Sequence, residues 1–374
     1  MIGRTLFNMK CLVVCTTDSM IWNFLIPHIN LWKKNGITVD VACSKTGFYF
    51  DELKEKFNFN MNEFSFTRSP FSLSNIKAFF KLKKFIKNEN YDVVISQEPV
   101  GGVLGRIAGK LNGCKNVYTA HGFHFYKGAP LKNWLIYYPV EKFLSRITDV
   151  LISINEEDFL ISKTFKAKKI FKIPGIGVDL NRFDKSSVDK FAVREQLGFS
   201  NDEKIILTVA EMIPRKNYET ALKALSLIKD LNFKYVICGD GILTDSLKKL
   251  AEDYGISEKI VFAGFRKDVN LFYSIADLFL FPSFQEGLSI ALIEAMASGL
   301  PIVCSKIRGN TDLIQEKKGG VLYSPLDYVG FAGAIKEIIE NVHSDYGEFN
   351  RNFVKQFSFE CSSNELFSIL KEVE

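Results

Sequence analysis

Glu286 and Glu294 stand eight residues apart in the run FPSFQEGLSIALIEAMASGLPIVCS. A strand-like apolar stretch, DLFLFPS, leads into the Glu286–Gly287 turn, and a helix-like stretch, LSIALIEAMAS, leads out of it. The first carboxylate therefore stands at the mouth of a strand-to-helix loop, and the second lies two turns along the helix. Gly287 lets backbone N–H groups at the helix N-terminus approach an anion closely. Carboxylates accept hydrogen bonds from vicinal hydroxyls, and the helix dipole favours negative charge. The layout suits a ligand with hydroxyls at both ends and phosphates in the middle, which is the outline of a nucleotide sugar. Glu294 lies among Leu292, Ile293, Ala295, Met296 and Ala297. A charge in so apolar a helix is costly unless it is paired, which favours a ligand there.

Lys216, with Arg215 beside it, follows the strand-like KIILTVAEM and a turn containing Pro214. A flexible ammonium there can reach a diphosphate and stabilise charge on a departing nucleotide. His121 ends the strand-like NVYTAH just before Gly122. The carboxyl end of a strand is where doubly wound sheets meet their ligands. His124 and Lys127 lie in the loop that follows, where they could shape an acceptor site.

These residues need parallel sheets to position them. Short apolar strands alternate with amphipathic helices along the whole chain, which implies βαβ units. CLVVCTT, TVDVACS, DVVISQ, NVYTAH and DVLISIN form a first set of strands; KIILTVAEM, KYVICGDG, KIVFAGF, DLFLFPS and PIVCS form a second. Between the sets runs IPGIGVDLNRF, with Pro174, Gly175 and Gly177 and no helical period. The chain is therefore predicted to be α/β, with two Rossmann-like doubly wound domains facing a cleft. One is expected to span 1–173, joined by a C-terminal helix over 357–374, on the acceptor side; the other is expected to span 174–356 and to bind the nucleotide sugar.

The motifs resemble the retaining glycosyltransferases of family 4, which have the GT-B fold. EGLSIALIEAMASGLPIV looks like their Glu-x7-Glu signature, IPGIGVDLNRF like their interdomain strand and AEMIPRKN like their Lys-bearing loop. ICGDGIL, VFAGFRKDV and YSIADLFLFPS follow in the family's order. YTAHGFHFYKGAP resembles a variant found in transferases of capsular and exopolysaccharide synthesis. The resemblance implies catalytic roles for His121, Lys216 and Glu286. It implies donor contacts from Arg215, Gly264, Phe265, Gly287, Leu288 and Ser289, and ribose contacts from Glu294. Many family members have Arg where Glu211 stands here, so Arg215 and Lys216 are expected to supply the phosphate charge, with Glu211 orienting Lys216 or touching the acceptor. The amino-terminal loop lacks the family's Gly-Gly pair, and Asp18, Ser19 and Asn23 are expected to face the acceptor instead. The family moves a hexose or N-acetylhexosamine from a nucleotide-diphosphate sugar, here expected to be a UDP-sugar, to a lipid-linked or saccharide acceptor. It needs no cofactor and no obligatory metal.

Composition sets the outer limits. The 374 residues suit two domains, and 47% apolar with 24% charged residues is ordinary globular material. Residues 1–172 carry 25 Lys and Arg against 14 Asp and Glu, a net +11, and the remainder carries −6. No apolar run is long enough to span a membrane, and the amino terminus does not read as a signal peptide. Seven scattered Cys without a CxxC pair point to reduced thiols in the cytoplasm and away from zinc. Residues 74–90 form a basic amphipathic segment. Ile76, Phe79, Phe80, Leu82 and Ile86 are expected on its apolar face, and it is either a sheet-covering helix or a peripheral contact with an anionic membrane. A nucleotide-sugar epimerase of the same fold and a non-catalytic partner subunit are the alternatives. No GxGxxG follows a strand, which argues against a dehydrogenase, and no nucleic-acid module is present.

Overall fold

A computed structural model of the chain describes residues 9–47, 49–185, 188–341 and 344–373. It divides into two compact units, Met1–Gly177 with Phe359–Glu374, and Val178–Ser358. The chain leaves the first unit three residues beyond the Pro174 of the connecting segment and returns to it at Phe359.

The first unit holds seven strands: β1 (Lys10–Thr17), β2 (Thr38–Ser44), β3 (Asn60–Glu63), β4 (Val93–Gln97), β5 (Lys115–Ala120), β6 (Val150–Ser153) and β7 (Lys169–Lys172). All pair in parallel, in the order β3-β2-β1-β4-β5-β6-β7. The central strands are continuous buried runs because helices cover both faces of a parallel sheet. The edge strands β3 and β7 read NMNE and KIFK, are only partly buried, and have no apolar run by which to be foreseen. The helix Pro99–Leu111 was equally hidden, since PVGGVLGRIAGKL has four glycines. Its glycines face the sheet: a Cβ at Gly105 would lie 2.2 Å from Ser96 Oγ. Packing overrides weak helix propensity there.

The second unit holds β8 (Lys204–Val209), β9 (Phe233–Cys238), β10 (Ile260–Gly264), β11 (Leu278–Phe281), β12 (Ile302–Ser305) and β13 (Gly320–Tyr323). Their order is β10-β9-β8-β11-β12-β13, again all parallel. Strand β11 shows how the sheet is buried on both faces: Phe279 and Phe281 enter one core, and Leu278 and Leu280 enter the other.

The helix Phe359–Lys371 packs on Ile26–Lys34 within the first unit. His28 joins them, with Nδ1 2.8 Å from Ser363 Oγ and Nε2 2.9 Å from the Ile176 carbonyl. Six of the seven thiols, all but Cys361, are buried. Among the described residues no helix is long and apolar enough to cross a membrane.

The helix Leu73–Glu89 corrects one expectation. Its inward stripe is Asn75, Ala78, Leu82 and Ile86, whereas Ile76 and Phe80 are exposed. Asn75 belongs inside because its carboxamide holds the preceding loop, accepting from Thr67 N at 2.9 Å and donating to the Ser69 carbonyl at 2.8 Å.

Candidate active site

In each sheet the strand order reverses at one place, between β1 and β4 in the first unit and between β8 and β11 in the second. Crevices outside the carboxyl ends of such strands are the ligand sites of doubly wound sheets.

In the second unit, the loops after β8 and β11 are tied together. Phe284 N donates to the Arg215 carbonyl at 2.9 Å. Asn217, in the left-handed region at φ 55°, donates to the carbonyls of Pro282 (2.8 Å) and Pro325 (2.7 Å). This frame brings three of the expected residues together. Lys216 Nζ lies 2.8 Å from Glu286 Oε1, and an Arg215 guanidinium nitrogen lies 3.1 Å from the same oxygen. Arg215 also donates to the Gln285 carbonyl at 2.8 Å, and Lys216 sits 4.8 Å above the Phe281 ring. Burial lowers the Lys216 pKa below its ordinary value, and Glu286 opposes that shift. Glu211 is exposed and makes no hydrogen bond with Lys216; its charge acts on the ammonium only at a distance.

Behind Glu286 the backbone is braced. Arg308 donates to the Glu286 carbonyl at 3.1 Å. Gly309 (φ 80°) lies so close that a Cβ there would stand 2.3 Å from the Gly287 carbonyl oxygen. Leu288 shares this contact, and Ser289 caps the helix Ile290–Ala297, its Oγ accepting from Leu292 N at 3.4 Å. Glu294, farther along that helix, receives a 3.0 Å hydrogen bond from the Tyr273 hydroxyl. Burial raises its pKa to about 7, opposed by Tyr273 and by the charge of Arg182.

Gly264 ends β10, two strands away from β8, and Phe265 follows it. Phe265 N donates to the Asp240 carboxylate at 2.9 Å and the Gly264 carbonyl accepts from Gly239 N at 2.8 Å. Those two backbone groups are thus engaged within the protein, while the Phe265 ring is exposed.

In the first unit, His121 Nε2 lies 2.7 Å from Gln97 Oε1, so the ends of β4 and β5 meet at this ring. Burial lowers the His121 pKa to about 4, with the nearby His28 adding to the shift, so the ring is neutral at neutral pH. The His124 ring lies 4.6 Å from that of Tyr137. Lys127 is exposed, its backbone N–H held by Glu157 at 2.5 Å. Ser19 Oγ is 2.9 Å from Thr17 Oγ1.

Asp18 departs from its expected acceptor-facing role. It is fully buried and accepts from the Thr46 hydroxyl and from the backbone of Thr46 (3.3 Å), Tyr49 (3.3 Å) and Phe50 (3.0 Å). Its carboxylate fastens the loop after β2 and the start of the helix Phe50–Phe57, so it is consumed by the fold.

Sequence reasoning passed over Asn217, Tyr273 and Arg308. Asn217 and Arg308 carried a signal, each following a strand in a turn with Pro or Gly, Asn217 after β8 and Arg308 after β12. Tyr273 sits in an ordinary helical run and carried none. Among the described residues, no three His, Cys, Asp or Glu side chains gather where they could hold a metal ion.

Two parallel α/β sheets with crevices of this kind are the GT-B architecture of glycosyltransferases. The crystal structure of Anabaena Alr3699/HepE in complex with UDP shares the fold, with a TM-score of 0.82 over 98% of this chain and all of that one, at 20% identity. Residues 189–356 match the model of glycosyl transferases group 1, and residues 11–155 that of glycosyl transferase 4-like proteins. EpsD of Bacillus subtilis (strain 168), itself named as a glycosyltransferase, is 37% identical over 338 residues, 88% of this chain and 87% of its own. An Escherichia coli UDP-Gal:alpha-D-GlcNAc-diphosphoundecaprenol alpha-1,3-galactosyltransferase is 31% identical, over 84% of each chain. The chain belongs to this family of family-4-like glycosyltransferases.

Proposed function

We propose that the protein transfers a hexose or N-acetylhexosamine from a UDP-sugar to a lipid-linked saccharide in the synthesis of a bacterial surface polysaccharide, with retention at the anomeric carbon. The observation that carries the donor assignment is the convergence of Lys216 and Arg215 on Glu286 at the β8–β11 crevice. Lys216 and Arg215 hold the diphosphate and stabilise the charge it acquires as it leaves. The N–H groups of Gly287, Leu288 and Ser289 add the field of a helix N-terminus. Glu286 accepts from hydroxyls of the transferred sugar, and Glu294 from those of the ribose. The family resemblance adds His121 as a catalytic residue of the first unit, with His124, Lys127 and Ser19 on the acceptor side. It also implies front-face attack assisted by the departing phosphate, which needs no carboxylate nucleophile and no metal. The donor and acceptor classes follow the names of the relatives: the E. coli protein uses UDP-galactose and a diphosphoundecaprenol-linked sugar.

A cytoplasmic, peripheral placement goes with such an acceptor. Exposed Ile76 and Phe80 stand on the helix Leu73–Glu89 beside exposed Lys77, Lys81 and Lys84. Such a face suits an anionic bilayer.

The test is a screen of UDP-sugars with lipid-diphosphate-linked acceptors, recording UDP release, product mass and the anomeric configuration of the product. Acceptor-dependent UDP release with the donor's anomer kept, and unchanged by a chelator, supports the reading. Acceptor-independent UDP release points to the epimerase, and no release with any pair points to the non-catalytic subunit. Co-sedimentation with anionic vesicles at low salt, lost on changing Lys77, Lys81 and Lys84 to Glu, tests the membrane contact.

A further inference from the structure

The first unit contains a cavity of about 460 Å³ that the donor chemistry does not use. Its size falls within the roughly 300–1,000 Å³ of small-molecule sites. It lies between the segment before the helix Leu73–Glu89, the first turns of Pro99–Leu111 and the helix Leu131–Leu144. Phe71, Val103, Leu104, Ile136 and Val140 make it mainly apolar. A saccharide alone would set many of its hydroxyls against apolar wall.

The rim opens outward. Phe71 is 79% exposed, Ile136 45% and Val140 42%, and along the same helix Leu131, Leu135 and Phe143 are exposed as well. Apolar surface of this extent marks an interaction site. Exposed Lys132, Lys142 and Arg146 lie on and just beyond that helix and favour an anionic partner.

Two charged groups on the lining have unspent bonding capacity. Arg68 makes no hydrogen bond or ion pair among the described residues. Glu98 sits at φ 61°, ψ 165°, a region that only glycine visits cheaply. It follows β4 at the β1–β4 crevice, and one carboxylate oxygen accepts from Thr16 N at 2.9 Å. The other oxygen has no protein partner among the described residues. Glu141, also on the lining, is already bound by Arg106 at 2.9 Å.

We propose that this cavity seats the lipid end of the acceptor: the hydrocarbon nearest the phosphate lies against the apolar walls, Arg68 binds the phosphate, and Glu98 accepts from a hydroxyl of the attached sugar. The assignment rests on the glycosyl-transfer reading and deepens it. The strained Glu98 backbone sets a carboxylate on the lining of a mainly apolar cavity that also carries Arg68, and an amphipathic anion is the ligand class that uses these features.

The experiment is direct binding of farnesyl phosphate, below its micellar concentration, to the full-length protein, with inorganic phosphate and farnesol as separate arms. Farnesyl phosphate should bind, and Arg68→Ala and Ile136→Asp should each weaken it tenfold or more. Both sites are exposed enough to tolerate the change, and thermal melting of the full-length variants reports folding of the first unit, which holds both. Farnesyl phosphate should also compete with a lipid-linked acceptor, and Glu98→Gln should raise the KM of that acceptor. Equal binding of inorganic phosphate, or farnesyl phosphate binding unaltered in both variants, overturns the proposal. Failure of the transfer reading would show separately, as no sugar transfer with any acceptor while farnesyl phosphate still binds.

Discussion

Lys216 Nζ and Glu286 Oε1 lie 2.8 Å apart, so the residues proposed for the diphosphate and the sugar are hydrogen-bonded to each other. Glu286 opposes the lowering that burial imposes on the Lys216 pKa, and the ammonium compensates the buried carboxylate. A donor would then enter a site whose charges are already placed, which limits the reorganisation needed.

Lys216→Ala is expected to lower kcat by about 10²–10³-fold, the usual cost of removing one stabilising donor of developing charge. Arg215, 3.1 Å from Glu286, is left as a partner for the carboxylate in that variant. Replacing both cations leaves the carboxylate bare, so the double variant should lose about 1 kcal/mol or more of stability beyond the sum of the singles. Steady-state kinetics and denaturant titration of the three variants check both statements.

Glu294 should make donor binding pH-dependent. Its pKa of about 7 means that the ionised acceptor of ribose hydroxyls grows as pH rises from 6 to 8. UDP affinity should increase by up to about tenfold over that range, and Glu294→Gln should flatten the profile. Stability runs the other way. The folded pKa lies above the unfolded value of 4.5, so the folded state binds more protons between pH 4.5 and 7, and stability from this group falls as pH rises through that window. The Tm of Glu294→Gln relative to the parent should rise from pH 5 to pH 8.

His121 and His28 are both held neutral, with pKa values lowered to about 4. The unfolded chain takes up those protons near pH 6.5 while the folded chain does not, so stability should fall as pH drops from 6.5 towards 4. Thermal melts across that range should show less of this loss in His28→Asn. His121→Ala should lower turnover without removing any inflection between pH 6 and 7, because the ring is already deprotonated there; a turnover close to the parent's would take His121 out of the reaction.

Gly309→Ala would force a Cβ to 2.3 Å from the Gly287 carbonyl at a φ of 80°. A loss of about 2–3 kcal/mol in stability and a raised donor KM are expected. Gly198 has the same φ of 80° but nothing within 4 Å, so Gly198→Ala should cost only about 1 kcal/mol and leave donor KM unchanged. Comparing the two separates backbone strain from the close approach behind Glu286.

Asp18→Ala should act on folding. Removing a buried carboxylate that serves the Thr46 hydroxyl and three backbone N–H groups is expected to cost about 3 kcal/mol. Denaturant midpoints should shift accordingly; a normal midpoint with a raised acceptor KM would restore the acceptor role.

The sequence by itself determined the two parallel sheets, because their inner strands are continuous apolar runs bounded by turn residues, and it marked Lys216 and Glu286 by their places after such runs. It could not show edge strands as polar as NMNE and KIFK, or a helix as rich in glycine as Pro99–Leu111, since those form through pairing and close packing with distant segments. Nor could it tell a carboxylate spent on the fold from one open to a ligand. Asp18 and Glu98 each follow a strand at the β1–β4 crevice, yet Asp18 is surrounded by donors brought from 28 to 32 residues away, whereas Glu98 keeps an oxygen beside an apolar cavity. Which donors reach a carboxylate is set by how distant loops fold over it, and only the tertiary structure decides that.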